Sequence, residues 1–505
     1  MSSFYSTFAN LIQSVNDIVW SLPLVILLLF AGLYFSCGLK FVQIRYIPEM
    51  IRLLFKSQNN KKGGRTSFQS FALALSGRVG TGNIVGVATA IAFGGPGAIV
   101  WMWIIAFLGS GTAFAESTLA QIYKERDNGE FRGGPAYFIE KGLNLKKLAI
   151  LFAIIAFIGE GVLMPPIQTN CISSSMTPTF GIPMWVTGII VTVLLAAIII
   201  GGVKRIALFA QFVTPIMACL YIVLSIIILV IHYDVLPSVF MDLIRSAFGL
   251  NPALGGILGT TILWGVKRGL YSNEAGQGTG AMSSAAAGVN HPVEQGLVQS
   301  FSVYIDTLLV CSATALMILA CKTYNIIDSV TLISGGETIV TYLMQNPGAP
   351  VGEPGVLYTS MAVGTLTGKT VANIIIAFAL FFFAFTTILA YYYYAETSLV
   401  YLFTRFAKRD NQGLNQRTQR LFIYIFRVIN LTMVFLGSVF GSGVAWTLGD
   451  IGVGSMAWIN VIAILLLSPK LFRVFKDFEQ QYKNGKTPNF EPDKLNIHNT
   501  SCWNK

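Results

Sequence analysis

Charged residues are scarce in this 505-residue chain: Asp, Glu, Lys and Arg make up 11%, whereas hydrophobic residues make up 54%. Water-soluble proteins carry roughly 25% charged residues, so this composition excludes an ordinary soluble protein and indicates a lipid environment. Runs in which apolar and polar residues alternate are also lacking, and the apolar stretches are continuous instead. Continuous stretches are typical of membrane-spanning helices, so the sequence excludes a porin-like barrel.

Residues that carry metal or redox chemistry are few and scattered. The three histidines, His232, His291 and His498, form no HExxH pattern, and no pair of the six cysteines has the CxxC spacing of a zinc or redox site. The net charge of +11 does not indicate nucleic-acid binding, because Lys and Arg lie in short segments between apolar runs. We therefore predict no metalloenzyme and no nucleic-acid partner, and a lipid bilayer as the surroundings.

Lys and Arg are absent from the first 20 residues. A secretory signal peptide begins with a positively charged region, so we interpret the first apolar run as an uncleaved span. Apolar runs of spanning length predict an all-α polytopic membrane protein with eleven transmembrane helices, near residues 18–39, 68–93, 98–123, 147–172, 183–203, 205–231, 252–288, 295–320, 370–398, 421–440 and 443–468.

The basic residues predict one orientation. If the N-terminus lies outside the cell, the predicted inner segments contain 27 of the 34 Lys and Arg residues. Basic residues favour cytoplasmic segments, so we predict a multi-pass protein of the cell inner (plasma) membrane, with its N-terminus outside and its C-terminus cytoplasmic. The inner segments are 40–67, 124–147, 203–205, 404–420 and 469–505.

No change of composition marks a separate soluble domain. We predict one transmembrane domain over residues 1–469 and a short cytoplasmic tail over residues 470–505. The 321–369 stretch is predicted to be an outer loop that holds a short amphipathic helix.

The second predicted span is interrupted by the run SGRVGTGN at residues 76–83. Glycine inside a helix costs about 1 kcal/mol relative to alanine, and an arginine at membrane depth costs several kcal/mol more unless it faces protein or water. An unwound segment frees backbone groups that an ion and a zwitterionic substrate can satisfy. We therefore predict a binding site in a broken helix.

Two alternatives remain for these glycines. Gly82 and Gly86, four residues apart, are equally typical of a close helix-packing face, and the polar residues beside them favour the site. Gly77 and Gly82 have the glycine spacing of a phosphate-binding loop, but Asn83 stands where that loop requires lysine, which disfavours nucleotide binding.

A second interrupted segment, WGVKRGLYSNEAGQGTG at residues 264–280, follows five spans later. Interrupted helices at corresponding positions of two halves are typical of inverted-repeat transporters whose site lies at the midplane. We predict the break over residues 264–269, which have an apolar context, and interpret residues 276–280 as a glycine-rich cytoplasmic loop.

Other spans contribute polar candidates. Gln168 follows a proline pair and is suited either to a substrate or to bonding neighbouring helices. Thr386 and Thr387 offer hard oxygen ligands of the kind that suit sodium, although such a pair more often bonds back to its own helix. Tyr391 begins a run of four tyrosines that we interpret as a pocket wall combined with an interfacial anchor.

Acidic residues inside spans usually face the bundle interior and pair with other groups. The sequence does not assign their partners, although Arg78 and Arg427 are candidates, and a proton relay is an open alternative. The acidic residues concerned are Glu116, Glu160, Asp306, Glu396 and Asp450.

The run GGPGAIVWMWIIAFLG at residues 94–109 is similar to the signature of the alanine or glycine:cation symporters, also called amino-acid carrier proteins, and departs from it at Val100. The runs RVGTGN at 78–83, GGP at 133–135 and SNEAG at 272–276 also resemble motifs of this family. The resemblance covers most of the chain. It implies a leucine-transporter-type (LeuT) fold, in which one peripheral N-terminal helix precedes a 5+5 inverted-repeat core with two broken helices.

The resemblance also implies site residues. In that fold the first core helix unwinds and its amides receive the amino-acid carboxylate, which places Thr81 and Gly82 on the carboxylate and Asn83 in support. Gln168 and Tyr391 are predicted to complete the substrate pocket. Sodium in the analogous fold lies between the first and eighth core helices, which implies ligands from Ser76, Val79, Phe383, Thr386 and Thr387.

Two positions depart from the family pattern. Pro165 stands where the family commonly has an amide-bearing stretch, which affects the local helix geometry. Ala390-Tyr391 stands where the family tends to have Gly-Trp, so Tyr391 is expected to alter the size or polarity of substrate that the pocket accepts.

These observations predict a secondary active symporter, and not an enzyme, that couples inward sodium flow to the uptake of a small neutral amino acid, alanine or glycine, by alternating access. Sodium is the coupling ion and is not held as a permanent cofactor. Alternatives are a carrier of glutamine or another larger amino acid, and a channel or transporter-like sensor, which would not show saturable, gradient-driven accumulation. A membrane enzyme is disfavoured because no catalytic constellation is found.

Overall fold

The computed structural model describes residues 2–55, 64–250, 257–332, 338–351, 354–406, 412–439 and 442–503. Most of these residues are helical, and two short antiparallel hairpins are added to the predicted all-α architecture. Parts of two predicted spans lie outside the described residues, namely 252–256 and 440. Parts of three predicted inner segments also lie outside them, namely 56–63, 407–411, 504 and 505.

The N-terminal part consists of α1 (Ser2–Val19), α2 (Leu22–Gly38), α3 (Val42–Arg45) and α4 (Ile47–Phe55). Residues 11–38 of α1 and α2 together form one apolar stretch long enough to cross a membrane. The predicted first span, 18–39, is therefore found.

The first interrupted helix begins with α5 (Ser67–Arg78), whose N-terminus is closed by a capping box. There the Thr66 hydroxyl accepts a hydrogen bond from the Gln69 amide, and the Gln69 side chain accepts one from the Thr66 amide. After residues 79–81, here named the first break, the chain continues as a π-helical turn over Gly82–Gly86 and as α6 (Val87–Gly94). The two parts are bent by 50°.

Seven helices and one short hairpin follow the first interrupted helix. α9 continues into α10 through a π-helical turn over Gly159–Leu163. The elements are α7 (Gly97–Ile122), β1 (Glu125–Asp127), β2 (Glu130–Arg132), α8 (Pro135–Leu143), α9 (Lys146–Ile158), α10 (Met164–Phe180), α11 (Met184–Ile199), α12 (Gly202–Ile231) and α13 (Leu236–Ala247).

The second interrupted helix consists of α14 (Leu258–Asn273) and α15 (Thr279–Ala285). Residues 274–278 between them are here named the second break. The remaining elements, with a π-helical stretch Tyr304–Cys311 between the first two, are α16 (Pro292–Val303), α17 (Ser312–Ala320), β3 (Asn325–Leu332), β4 (Thr338–Gln345), α18 (Val356–Thr367), α19 (Lys369–Phe406), α20 (Gln412–Val439), α21 (Ser442–Leu466) and α22 (Ser468–Lys483).

The prediction that α14 breaks over residues 264–269 is wrong, because the helix is continuous there. Gly265 and Gly269 serve close packing instead: a Cβ atom at these positions would lie 2.5 Å from the Ala98 carbonyl oxygen and 2.4 Å from Ile105 Cγ2. The chain breaks later, where Gly276 and Gly278 have φ values of +96° and +92°. Residues 276–280 are buried, so they do not form an exposed loop.

Eight helices of the described chain are long and apolar enough to cross a membrane, and the bent pair around the first break makes nine. The prediction of eleven spans is thus confirmed in part. The predicted span 183–203 corresponds to α11, which has only 16 residues. The predicted span 252–288 corresponds to the interrupted pair α14 and α15. In the 321–369 stretch the structure has the β3–β4 hairpin, and α18 there is apolar rather than amphipathic.

The outward faces of the long helices are apolar. On α12, the exposed side chains include Phe212, Ile216 and Leu220. Large apolar surfaces of this kind are stable in contact with lipid and not with water. The chain is therefore an integral membrane protein.

Candidate functional site

The first break frees backbone groups in the middle of the bundle. Val79 has an extended backbone, and the Gly80 amide donates to Asn83 Oδ1 at 2.8 Å instead of continuing the helix. A Cβ atom on Gly80 would lie 2.3 Å from Thr387 Oγ1. Glycine is therefore required at residue 80, because the break lies directly against α19.

Thr387 on α19 brings together the predicted sodium ligands. Its Oγ1 atom lies 2.9 Å from the Ser76 carbonyl oxygen, 3.3 Å from that of Val79 and 3.0 Å from that of Phe383. A hydroxyl group has one hydrogen and can fully satisfy only one of these acceptors. Four oxygen atoms thus converge with more lone pairs than donors, an arrangement that fits a hard cation such as sodium.

Thr386 lies beside this cluster but points elsewhere. Its Oγ1 atom lies 3.0 Å from the carbonyl oxygens of both Phe382 and Phe383, on its own helix. Of the five predicted sodium ligands, the structure brings four together around the Thr387 hydroxyl, and Thr386 adjoins them through the Phe383 carbonyl.

Three predicted substrate residues also meet at the first break. The Thr81 amide donates to Gln168 Oε1 at 3.3 Å, and Gln168 Nε2 is buried without a hydrogen-bond partner among the described residues. Gly82 packs against α14, where an added Cβ atom would lie 3.3 Å from Tyr271 Cδ1. Pro165 lies where the π-helical turn Gly159–Leu163 continues into α10, inside the span Lys146–Phe180, so it removes one backbone donor from a continuous helix.

Of Gly82 and Gly86, the pair for which a helix-packing face is the alternative interpretation, only Gly82 lies in a close contact with another helix. Gly82 is closely packed, but the nearest atom to a Cβ on Gly86 would be Arg268 Cδ at 3.8 Å, an ordinary contact distance. The pair therefore does not form a close helix-packing face along its length.

Asn83 is fixed by a carboxylate that the sequence did not assign to the site. Asn83 Nδ2 donates to Asp306 Oδ1 at 2.7 Å, and the hydroxyls of Ser272 and Thr307 donate to Asp306 Oδ2 at 2.9 and 2.7 Å. All four residues are buried. The sequence singled out Asp306 as an unusual acidic residue in a span, but the π-helical stretch around it has no local sequence signature.

Tyr391 lies one turn after Thr387 on α19 and is buried. Its ring centroid is 6.4 Å from that of Tyr394. Its charged and phenolic neighbours are Tyr271, Glu160 and Glu274. Tyr391 therefore lines the interior between α19 and α14, in keeping with a pocket wall.

The structure assigns partners to most of the acidic residues within spans. Glu396 Oε1 pairs with Arg132 Nη2 at 2.6 Å, and Asp450 Oδ2 pairs with Lys267 Nζ and Arg268 Nη2 at 2.6 and 2.9 Å. The candidate partners Arg78 and Arg427 bond elsewhere: Arg78 donates to Ser302 and Gln299, and Arg427 donates to the Tyr392 hydroxyl.

A cavity of about 870 Å³ opens next to the Asp450 ion pairs. The Arg268 guanidinium lies 5.1 Å from the ring centroid of Trp446, and the Tyr271 and Trp446 rings are 5.4 Å apart. Because Tyr271 also contacts Gly82, these side chains stand between the cavity and the first break. The lining includes Asp17, Trp20, Val85, Phe93, Trp264, Lys267, Arg268, Trp446 and Asp450.

Comparison with known proteins places the chain in a family. A model of the sodium:alanine symporter family matches residues 5–492. The putative sodium/proton-dependent alanine carrier protein YrbD of Bacillus subtilis is 50% identical over 497 residues, 98% of each chain. The sodium/proton-dependent alanine carrier protein of Bacillus sp. (strain PS3) is 45% identical over 459 residues, 90% of this chain and 97% of that protein.

Among solved structures, a Na⁺-coupled sialic acid symporter in a substrate-bound outward-open state is similar, with a TM-score of 0.50 and 14% identity over 97% of this chain and 96% of that one. At this identity the likeness shows the fold alone. The sequence matches are much closer and extend over nearly the whole chain. The chain therefore belongs to the sodium:alanine symporter family, and it is a sodium-coupled membrane transporter rather than an enzyme.

Proposed function

We propose that this transporter takes up alanine or glycine, and that the first break binds both the amino acid and the sodium ion that drives its entry. The observation that carries this proposal is the convergence of the Ser76, Val79 and Phe383 carbonyls on the Thr387 hydroxyl. These groups lie within a few residues of the Thr81 and Gly82 amides, so ion and substrate would share one short segment of backbone.

Sodium binding at this point would link α5 to α19. The ion would take the carbonyl oxygens that now share a single hydroxyl hydrogen, together with Thr387 Oγ1, and Thr386 would contribute only after rotating away from its own helix. An ion held by both helices fixes the conformation of residues 79–81. Sodium binding therefore prepares the adjacent amides for the substrate, which is the physical basis of coupling.

The amino-acid carboxylate would lie against the Thr81 and Gly82 amides. The Thr81 amide now donates to Gln168 Oε1. A carboxylate is a stronger acceptor than an amide oxygen, so it would displace Gln168, whose Nε2 group is free to donate to it. Asn83 would hold the break in shape through Gly80 and Asp306, and Tyr391 would limit the size of the side chain.

The architecture that supports this mechanism has eleven spans, with α11 and the α14–α15 pair as the two beyond the nine long ones. In this proposal α5 to α12 form one five-span repeat and α14 to α21 the other, preceded by the peripheral α1–α2 span. Each repeat then begins with an interrupted helix.

We also propose that the N-terminus lies outside and the C-terminus in the cytoplasm. Ion pairs join three of the predicted inner segments: Arg65 to Glu130 at 2.6 Å, and Arg405 to Glu125 at 2.7 Å and to Glu140 at 2.6 Å. The tail, residues 470–505, would lie on this same side, beyond a transmembrane domain of residues 1–469. A reporter fused to the C-terminus and active only in the cytoplasm tests this orientation.

The decisive experiment is uptake of labelled alanine by proteoliposomes with and without an inward sodium gradient. We expect accumulation that saturates with alanine, requires the gradient and is competed by unlabelled glycine. Stronger competition by glutamine would favour a carrier of larger amino acids, and unsaturable flux without accumulation would favour a channel. Proton coupling is a second candidate because the names of both Bacillus relatives include proton dependence.

A further inference from the structure

Glu160 is the acidic residue of the membrane spans for which the described chain offers no partner. It lies in the π-helical turn Gly159–Leu163, its side chain is buried, and neither carboxyl oxygen accepts a hydrogen bond from any described residue. Buried polar groups are nearly always satisfied in folded proteins. A buried carboxyl with two unsatisfied oxygen atoms therefore indicates a ligand that the protein itself does not supply.

Glu274 lies in the second break and faces the same interior region. It has a φ of +56°, and its Oε2 atom accepts from the Thr279 hydroxyl at 2.8 Å, while Oε1 has no partner among the described residues. A Cβ atom on Gly77 would lie 3.1 Å from Glu274 Oε1. The Glu274 carboxyl therefore lies against α5, next to the segment whose carbonyls form the candidate sodium site.

The two carboxyl groups act on each other electrostatically. Two phenols of α19, those of Tyr391 and Tyr394, interact with both carboxyl groups. Arg78 of α5, Glu116 of α7 and Asp306 interact with Glu274, and Tyr271 of α14 interacts with Tyr391. Two charged residues lie on helices that pack against the π-helical turn of Glu160, and both have other partners. Arg427 of α20 donates to the Tyr392 hydroxyl, and Asp450 of α21 pairs with Lys267 and Arg268.

Among the described residues, no nitrogen of a basic side chain lies within 4.0 Å of a carboxyl oxygen of Glu160 or Glu274. An ionised carboxylate buried without a partner carries a large desolvation penalty, and two neighbouring carboxylates that share a site do not both ionise. Protonation of one of the two groups removes this conflict, because a neutral carboxyl avoids both the desolvation penalty of a buried charge and the repulsion from the other carboxylate.

We propose that Glu160 and Glu274 form a proton-binding site that takes a proton from water on one side of the membrane and releases it to water on the other during each transport cycle. The proposal rests on the symport function proposed above and deepens it by naming the site of a second coupling ion. No bond other than the carboxyl O–H forms or breaks, and no electrons are transferred.

The surroundings of Glu160 favour a proton over a second sodium ion. Gly161 packs against Phe426 and Ala395, and Gly159 packs against Met456, so neighbouring atoms on these sides are apolar. Sodium needs several oxygen ligands, which converge at Thr387 and not here, whereas a proton needs only one acceptor. Because Glu274 belongs to the second break and touches Gly77, its protonation acts on both interrupted helices.

The test is the steady-state alanine accumulation ratio in proteoliposomes at a fixed sodium gradient, with and without a pH gradient of one unit, acidic outside. If one proton accompanies each alanine, the wild-type ratio rises up to about tenfold with the pH gradient. Glu160→Gln should abolish this response, and Glu160→Asp should retain it. Glu49→Gln is the matched control, since Glu49 is a buried carboxyl with ordinary partners, Arg52 and Tyr482.

The outcomes are separable. A wild-type ratio that is unchanged by the pH gradient but rises with the square of the sodium gradient overturns the proton site and leaves sodium-coupled uptake intact. A Glu160→Gln variant that keeps the wild-type pH response overturns the assignment to Glu160. Should Glu160→Gln not accumulate alanine, equilibrium binding of labelled alanine to the purified protein at two pH values decides: a pH dependence equal to wild type contradicts the proposal.

Discussion

At the first break, neutral groups hold the free backbone: the Thr387 hydroxyl and the Gln168 side-chain oxygen come from other helices, and the Asn83 side-chain oxygen comes from the π-helical turn that follows the break. At the second break, one carboxyl group, that of Glu116, and the side-chain amides of Asn460 and Gln277 hold the backbone. The Gly276 amide donates to Glu116 Oε2 at 3.2 Å, and Asn460 Nδ2 donates to the Gly276 carbonyl at 2.8 Å.

The difference lies in what a ligand can replace. The contacts at the first break are neutral, and three carbonyls share the single hydrogen of the Thr387 hydroxyl, so an ion and a carboxylate can take these groups over. At the second break Gln277 Nε2 closes the end of α14 by donating to the Leu270 carbonyl at 2.7 Å. The two interrupted helices therefore differ in their backbone: the free groups of the first break are open to ligands, whereas the backbone of the second break is satisfied by the protein itself.

The largest effect is expected from Gly80→Ala. Its Cβ atom would lie 2.3 Å from Thr387 Oγ1, so the hydroxyl must leave the carbonyl cluster. Overpacking of this kind costs about 1–3 kcal/mol, and displacement of the ion ligand adds to it, so sodium-driven alanine uptake should fall by about 100-fold. Gly86→Ala is the control, because its Cβ meets only Arg268 Cδ at 3.8 Å. Equal uptake by the two variants would contradict the close contact.

Thr387→Ala should raise the sodium concentration for half-maximal uptake by about tenfold or more, because a ligand and the bond that aligns two carbonyls are both lost. Thr387→Ser keeps the hydroxyl and should stay near wild type. Thr386→Ala should change the same value by less than about threefold, since the Thr386 hydroxyl bonds to its own helix. Sodium titrations of initial uptake rates distinguish the three variants, and a larger effect at Thr386 would reverse the assignment.

Asn83→Ala should weaken alanine binding by about tenfold, since the loss of a hydrogen bond to a charged group is worth about 1.5–3 kcal/mol and Asp306 is left with fewer donors. The sodium dependence should change less, because Asn83 bonds the Gly80 amide and Asp306 and is not itself one of the oxygen ligands around Thr387. The Michaelis constant for alanine at saturating sodium measures the effect. If the variant kept the wild-type affinity for alanine but required more sodium, Asn83 would have to be assigned to the sodium site.

Much of the first break was predictable from the sequence. The run at residues 76–83 is incompatible with a straight helix in lipid, and the family resemblance placed α5 next to the threonines of α19. The second break was placed too early, at residues 264–269, because glycine signals both a break and a close packing contact. Only the tertiary structure shows that Gly265 and Gly269 pack against α7.

Other features had no local signature. The π-helical turns at Gly159–Leu163 and Tyr304–Cys311 bring Glu160 and Asp306 to their positions, and such turns depend on packing with neighbouring helices. The pairing of Asp450 with Lys267 and Arg268 joins residues about 180 positions apart in the chain, which composition and periodicity do not reveal. Sequence thus indicated which residues are unusual, and the fold supplied their partners.

A smaller effect is expected from Tyr391→Trp. The larger ring narrows the interior between α19 and α14 and should favour glycine over alanine. A single methyl group in a pocket is worth about 1–3 kcal/mol of discrimination at most, and because α19 can adjust we expect a change of several-fold in the ratio of glycine to alanine uptake. Competition between labelled alanine and unlabelled glycine measures this ratio. Tyr393→Trp is the control, because the Tyr393 hydroxyl donates to the Met282 carbonyl. An identical shift in both variants would show that Tyr391 has no special role.

The smallest effect on ligand affinity is expected from Gln277→Ala, and it bears directly on the difference between the breaks. The substitution removes one of the two donors to the buried Leu270 carbonyl, which keeps its bond from the Glu274 amide at 2.9 Å, so the loss of stability is about 0.5–1.5 kcal/mol. Because the protein itself satisfies the backbone of the second break, half-saturation by sodium and by alanine should each change by less than about threefold, while the melting temperature of the purified protein falls. Gln168→Ala, an amide lost at the first break, should do the opposite and weaken alanine binding more than it lowers the melting temperature. If Gln277→Ala weakened alanine binding as strongly as Gln168→Ala, the second break would also contact the substrate, and the two interrupted helices would share one function.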